Sequence, residues 1–333
     1  MDLTVGVKPA VFLGCARDPW MHGTPCENRC RLPPTSWMDT AARRPLPSDT
    51  RTLTMNQLER GLRFQQLHTA DSVFLMPNAW DTGSALMLAS LGFPAIATTS
   101  AGVCFSLGFP DQEAGVSREM MLDRVGAIAA AIPLPVSADL QAGYGADPDE
   151  VGGTIKSAIL TGVVGANIEA YTGDPAQPLH SIEDATERIR GARRTADASG
   201  IPFVLTARTD VYLAGADKPF AQAVERCNAY REAGADCLFV PGASDPQTVE
   251  GLVREIHGPL TVVMGLSGSA LTVPQLGSLG VRRVTIGGSL ARATFGLIRK
   301  AATAMAEGGT FQFTDQQIPH AELSRFFADR RDA

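Results

Sequence analysis

Eight short apolar runs, many of them β-branched, recur at regular intervals and constrain this chain more than any other feature. They occupy residues 73–76, 95–98, 135–138, 163–168, 203–206, 237–240, 260–264 and 283–286. Near-continuous apolar character marks strands buried on both faces, as in parallel sheets. The windows between them read as amphipathic helices with recognisable ends. Asp147-Pro148 and Asp245-Pro246 each offer an N-cap followed by proline at the first helical position. Ser181-Ile-Glu-Asp184 resembles a capping box. Gly92, Gly162, Gly234 and Gly280 stand where a helix would stop just before the next strand. Eight strand–helix units within residues 55–333 suit a (β/α)8 TIM barrel, which typically takes about 250 residues. A doubly wound sheet is the alternative, but no glycine-rich dinucleotide fingerprint accompanies these strands.

Composition narrows the function classes. Of 333 residues 44% are hydrophobic and 19% charged, enough apolar material for a large core and too much for wholesale disorder. No apolar run approaches the roughly 18 residues a spanning helix needs, so no membrane partner is expected. The net charge of −6, with no block rich in lysine or arginine, argues against a nucleic-acid partner. Six cysteines in a chain this long are no disulfide framework, and no secretory signal opens it, so a cytoplasmic protein is expected. Residues 1–54 carry Pro, Arg, Cys and Trp without periodicity and are expected to form a disordered N-terminal extension. Cys15, His22, Cys26 and Cys30 can be drawn as a zinc site, but their spacing is loose for one. Met55, just ahead of a helical pattern, is an alternative start.

In a barrel of this kind the chemistry sits just after the strand C-termini. The polar residues there are Asn78, Trp80, Asp81, Thr98, Thr99, Ser100, Asp139, Gln141, Tyr144, Glu169, Tyr171, Arg208, Asp210, Ser267, Ser269 and Ser289. Asp139 and Glu169 end neighbouring strands, and two converging carboxylates suit a hard cation such as Mg2+ or Mn2+. The alternative is a pair of ordinary capping or salt-bridging acids. Arg208 presents a fixed fork able to grip a substrate carboxylate, or else a structural ion pair with Asp210 or Glu169. Thr98-Thr-Ser-Ala-Gly102 reads as a small flexible loop whose N–H and hydroxyl groups could hold a carboxylate or an enolate oxygen. No phosphate-binding loop is present, and none of the four lysines ends a strand, which disfavours ATP and Schiff-base chemistry.

Five ordered segments carry a resemblance. They are Met76-Pro-Asn-Ala-Trp-Asp-Thr-Gly-Ser-Ala, Ala97-Thr-Thr-Ser-Ala-Gly-Val, Ser137-Ala-Asp-Leu-Gln-Ala-Gly-Tyr-Gly145, Ala166-Asn-Ile-Glu-Ala and Thr206-Ala-Arg-Thr-Asp210, with Gly280-Val-Arg-Arg-Val-Thr-Ile-Gly-Gly288 as a last strand. Together, over about residues 60–310, they resemble the isocitrate lyase / phosphoenolpyruvate mutase family. The resemblance implies a barrel whose eighth helix is swapped between subunits of a homodimer or homotetramer. It also implies Mg2+ (or Mn2+) and a small 2-oxo or 2-hydroxy acid whose C–C or P–C bond breaks through an enolate. Asp139 matches the acid that touches the metal, and Glu169 and Asp111 match acids that reach it largely through water. Arg208 matches the carboxylate anchor, and Thr99, Ser100 and Ala101 match the loop that cradles the substrate beside Asp139.

Three departures bear on the reaction. The family's second acid after the third strand is Gln141 here, which keeps an oxygen near the metal but loses one charge. The loop 171–180 lacks the lyases' catalytic cysteine, and the mutases' Glu-Asp-Lys reads Glu169-Ala-Tyr171. The remaining acid candidates are His180 and Tyr171, with His180 as a solvent-exposed loop residue the bland alternative. The expected activity is a Mg2+-dependent C–C lyase. The rivals are a P–C hydrolase or phosphomutase and a non-catalytic carboxylate-binding protein.

Overall fold

The structure, a computed structural model, describes residues 55–112, 115–266 and 271–331. The expectations for residues 1–54, including the Cys15, His22, Cys26 and Cys30 drawing, and those for Ser267 and Ser269 lie outside the described residues.

All eight expected strands form. The first is split into β1 (Phe74–Leu75) and β2 (Asn78–Ala79), and then follow β3 (Ile96–Thr98), β4 (Val136–Asp139), β5 (Gly165–Glu169), β6 (Val204–Arg208), β7 (Cys237–Phe239), β8 (Leu260–Val263) and β9 (Arg283–Thr285). The split falls at Met76-Pro77, where proline has no N–H to give the ladder. Every pairing is parallel, in the order β1-β9-β8-β7-β6-β5-β4-β3-β2. Phe74 pairs with Arg283 on one side, while Asn78 pairs with Ala97 on the other. The two ends of the sheet therefore meet in one short stretch of chain, and the sheet closes as a (β/α)8 barrel. The first strand reaches Ala79 rather than stopping at residue 76.

The helical connections form where the caps placed them. Asp147 starts α5 (Pro148–Leu160) by accepting from the N–H groups of Asp149 and Glu150. Asp245 starts α8 (Pro246–Glu255) by accepting from Thr248 N–H. Ser181 starts α6 (Ile182–Ala198) by accepting from Asp184 N–H, which is one half of a capping box. The other helices are α1 (Gln57–Thr69), α2 (Thr82–Ala89), α3 (Ser100–Ser106), α4 (Arg118–Ala131), α7 (Pro219–Glu232), α9 (Val273–Ser278), α10 (Ser289–Gly308) and α11 (His320–Arg331). Among the described residues no helix is long and apolar enough to cross a membrane.

Helix α1 closes the end of the barrel opposite the strand C-termini. Its Phe64 joins Phe74, Met76, Ala95, Ala97, Val164, Val204 and Cys237 in one buried cluster. Burying a side chain such as Phe64 contributes about 1.5–3 kcal/mol. Beside it, His68 is 4% exposed and meets Arg283 of β9, Nη1 to Nε2 at 3.1 Å. Arg188 of α6, also buried, donates to the carbonyls of Ala142 (2.5 Å), Gly145 (2.9 Å) and Ala146 (3.0 Å). That one guanidinium fixes the loop after β4, which carries part of the site. Cys104, Cys227 and Cys237 are free, buried thiols, in line with packing roles.

Candidate active site

The strand register places the key residues side by side at one mouth of the barrel. Asp139, the last residue of β4, pairs with Asn167 in the middle of β5, and Glu169 and Arg208, the last residues of β5 and β6, pair with each other. Residues two apart on a strand share a face, so Asn167 and Glu169 point the same way.

Arg208 is fully engaged. Its Nη1 lies 2.6 Å from Glu169 Oε2, while Nε and Nη2 donate to Asp210 Oδ1 at 2.8 and 2.6 Å. The guanidinium also sits 5.7 Å from the centre of the Phe239 ring. Burial disfavours its charge, but Asp210, Glu169 and Asp139 outweigh burial and hold it protonated above the ordinary arginine range. Both alternative ion-pair partners are thus present at once.

Asp139 is held by three donors. Ser100 N–H (2.8 Å) and Ser100 Oγ (2.9 Å) donate to Oδ2, and Asn167 Nδ2 donates to Oδ1 at 2.9 Å. This corrects the expectation of a flexible loop at Thr98–Gly102. Thr99 is the N-cap of α3, its hydroxyl accepting from Gly102 N–H at 3.3 Å, and Ser100 and Ala101 are helical. Short polar residues satisfy the open N–H groups of a helix start, so the segment that looked loose is ordered. Ala101 lies close to Gly288 at the start of α10.

Asp111 and Gln141 meet directly, Gln141 Nε2 donating to Asp111 Oδ1 at 2.8 Å. Gln141 is 3% exposed, its backbone is left-handed (φ 51°), and its Oε1 is buried with no hydrogen-bond partner among the described residues. Burial, and then the neighbouring Asp139, push the Asp111 carboxyl above its usual range. Glu169 is pushed up more strongly, by burial first and by Asp210, Asp139 and Asp111, although Arg208 opposes this.

Asp139, Glu169, Asp111 and Gln141 do not form a ready-made ligand shell. Among the described residues no three His, Cys, Asp or Glu side chains are placed to hold a metal ion. The reason is competition: Arg208 holds Glu169, and protein N–H and O–H donors hold Asp139 and Asp111. The donor chemistry nevertheless fits a hard divalent cation. The carboxylates of Asp139, Glu169 and Asp111 are oxygen donors of the kind such a cation takes, and Gln141 Oε1, with no hydrogen-bond partner among the described residues, adds another.

His180 and Tyr171 bracket a small self-bonded hairpin after β5. Tyr171 bridges Leu179, and His180 N–H donates to Ala170 O at 3.0 Å. His180 is half-buried; burial and Arg188 hold its pKa below the ordinary value, so the imidazole is neutral at pH 7. Tyr171 is 37% exposed. Among the described residues no hydrogen bond ties either side chain to Arg208, Glu169 or Asp139.

One residue escaped the sequence reading, and one singled out only by its place after a strand turns out to hold the barrel closed. Asn167 secures Asp139, and its signal was its place two residues before Glu169 on the same strand face. Asn78 staples the closing seam, donating to Thr98 O at 2.7 Å and accepting from Ile286 and Gly287 N–H at 3.1 and 2.9 Å.

Residues 64–306 match the family described as phosphoenolpyruvate phosphomutase. An uncharacterized Mycobacterium tuberculosis protein is 32% identical over 271 residues, covering 80% of this chain and 97% of its own. The 2-methylisocitrate lyase of Escherichia coli is 33% identical over 187 residues, covering 54% and 61%. Among solved structures, a provisionally assigned lyase/mutase from Burkholderia cenocepacia superposes with a TM-score of 0.78 at 43% identity, covering 82% and 96%. An oxaloacetate acetylhydrolase in complex with its product oxalate gives 0.73 at 26% identity, covering 83% and 95%.

Proposed function

Because this chain belongs to the phosphoenolpyruvate phosphomutase family, within the isocitrate lyase superfamily of lyases and mutases, we propose that it is a Mg2+- or Mn2+-dependent carbon–carbon lyase acting on a small 2-oxo or 2-hydroxy carboxylate through an enolate. The carrying observation is Arg208 at the strand mouth, engaged by Glu169 and Asp210 beside Asp139. Asp139, with Asp111, Glu169 and Gln141, would hold the cation, which when bound supplies Lewis-acid stabilisation of charge building on the enolate oxygen. Arg208 exchanges Glu169 for the substrate carboxylate and fixes its orientation. The α3 start, with Thr99, Ser100 and Ala101, lines the substrate's oxy-acid end. The proton that quenches the enolate carbon comes from solvent, His180 or Tyr171. Cleavage of oxaloacetate-like acids is favoured over phosphomutase chemistry because Tyr171 stands where the mutases' lysine would, over thiol-dependent isocitrate-type cleavage because the segment 171–180 contains no cysteine, and because a similar solved structure is an oxaloacetate acetylhydrolase.

The test is to supply Mg2+ or Mn2+ with oxaloacetate, methylisocitrate, isocitrate or phosphonopyruvate and measure pyruvate, glyoxylate and oxalate. A C–C cleavage product that disappears on adding EDTA is the expected result. Turnover of phosphonopyruvate alone would replace this reading with P–C cleavage, and silence on all four would favour a carboxylate-binding protein.

The proposed assembly is a homodimer or homotetramer with α10 exchanged between subunits. Its support is the apolar surface of that helix: Ala291 is its buried residue, while Phe295, Leu297 and Ile298 are 41%, 51% and 60% exposed. Exposed apolar area of that kind marks an interface. Light scattering on the eluting protein is expected to give two or four subunits, and a monomer would overturn the assignment. The proposed setting is the cytoplasm, which suits the free thiols at Cys104, Cys227 and Cys237.

A further inference from the structure

Two carboxamides occupy matching positions in the acidic cluster. Asn167 donates to Asp139 Oδ1 and Gln141 donates to Asp111 Oδ1, at 2.9 and 2.8 Å. We infer that Asn167 and Gln141 are positioning residues that hold the two carboxylates in place without a cation, so that these amides set how tightly the site takes a divalent ion. The inference rests on the proposed cation-dependent reading and concerns this chain's own way of building the site.

Three observations carry it. First, an ionised carboxylate has about four lone-pair positions. Ser100 takes two on Oδ2 of Asp139 and Asn167 takes one on Oδ1. Asp139 is left with a single acceptor direction, on the oxygen that Asn167 orients. Second, Gln141 is held in a left-handed backbone (φ 51°), as is Tyr144 (φ 53°), in a loop tied down by Arg188. Non-glycine residues in that region are strained and persist only where the surroundings enforce them. Here the strained conformation aims the carboxamide at Asp111. Third, Gln141 Oε1 is buried and has no hydrogen-bond partner among the described residues.

A carboxylate at either position would face a second carboxylate, and a bound cation would relieve the repulsion. The expected phenotype of Gln141→Glu is therefore a lower melting temperature without metal, restored by Mn2+, with tighter Mn2+ binding than wild type. Asn167→Asp should show the same metal-dependent recovery at Asp139, and Asn167→Ala should weaken Mn2+ binding by about 10- to 100-fold, as loss of an outer-shell partner does. The readouts are Mn2+ titration by electron paramagnetic resonance and thermal melts with and without Mn2+. A purely structural loss would lower the melting temperature equally in both conditions. Variants that bind Mn2+ as wild type does, with metal-independent melting shifts, would overturn the inference alone. No Mn2+ binding by wild type or any variant would overturn the cation reading and this inference with it.

Discussion

Arg208→Ala is expected to abolish turnover and to destabilise the fold by about 3–5 kcal/mol, the range found when one partner of a buried ion pair is removed. The size follows from what the substitution leaves behind. Glu169 and Asp210 have side chains 12% and 3% exposed, and both depend on this guanidinium. Protonating Glu169 relieves part of the penalty, since its carboxyl already stands well above its usual range. Arg208→Lys separates the two roles. Lysine keeps the charge but loses the planar fork that meets Glu169 and Asp210 together and would grip a planar carboxylate. It should recover part of the stability and little of the binding of oxalate, an enolate mimic. Urea denaturation and oxalate titration measure the two effects. Normal oxalate binding by Arg208→Ala would remove Arg208 from the substrate site.

Acidification is expected to weaken the protein through His68, at the far end of the barrel. Its Nδ1 faces Phe64 O at 2.8 Å, so that nitrogen carries the proton, and Nε2 accepts from Arg283. Burial, then the Arg283 charge, lower its pKa from 6.5 to about 3. A depressed folded-state value on a base means that the unfolded chain binds more protons between these limits. The stabilisation is fully present above pH 6.5 and is lost as pH falls toward 3. At 1.36 kcal/mol per pH unit, His68 alone removes about 2 kcal/mol between neutrality and pH 5. Asp111, Glu169 and Asp236, whose carboxyls are raised, act with the opposite sign. The clean measurement is the difference in unfolding free energy between wild type and His68→Gln at pH 7.5 and pH 5. Glutamine can accept from Arg283 and donate to Phe64 O without titrating. The variant should lose less stability than wild type on acidification, and parallel curves would show that His68 does not carry the effect.

The barrel was legible because its signals are local. Each buried strand announced itself as an apolar run, and Asp147, Asp245 and Gly234 punctuated the helices by rules that act over four or five residues. Placement at strand ends then singled out Asp139, Glu169 and Arg208. What misled was also local: Thr98–Gly102 has a loop's composition, and only a helix starting at Ser100 makes those residues a cap.

The sequence by itself determined a closed parallel barrel and placed Asp139, Gln141, Glu169 and Arg208 at its mouth, because burial periodicity and strand-end position are carried by neighbouring residues. Tertiary structure decided the pairing: Glu169 and Asp210 on Arg208, Asn167 and Ser100 on Asp139, Gln141 on Asp111, and Arg283 on His68. The last partners lie 215 residues apart, and those of Asp139 lie 28 and 39 away. Hydrogen bonds and ion pairs act over about 3 Å, so closure and register, not separation along the chain, choose their partners.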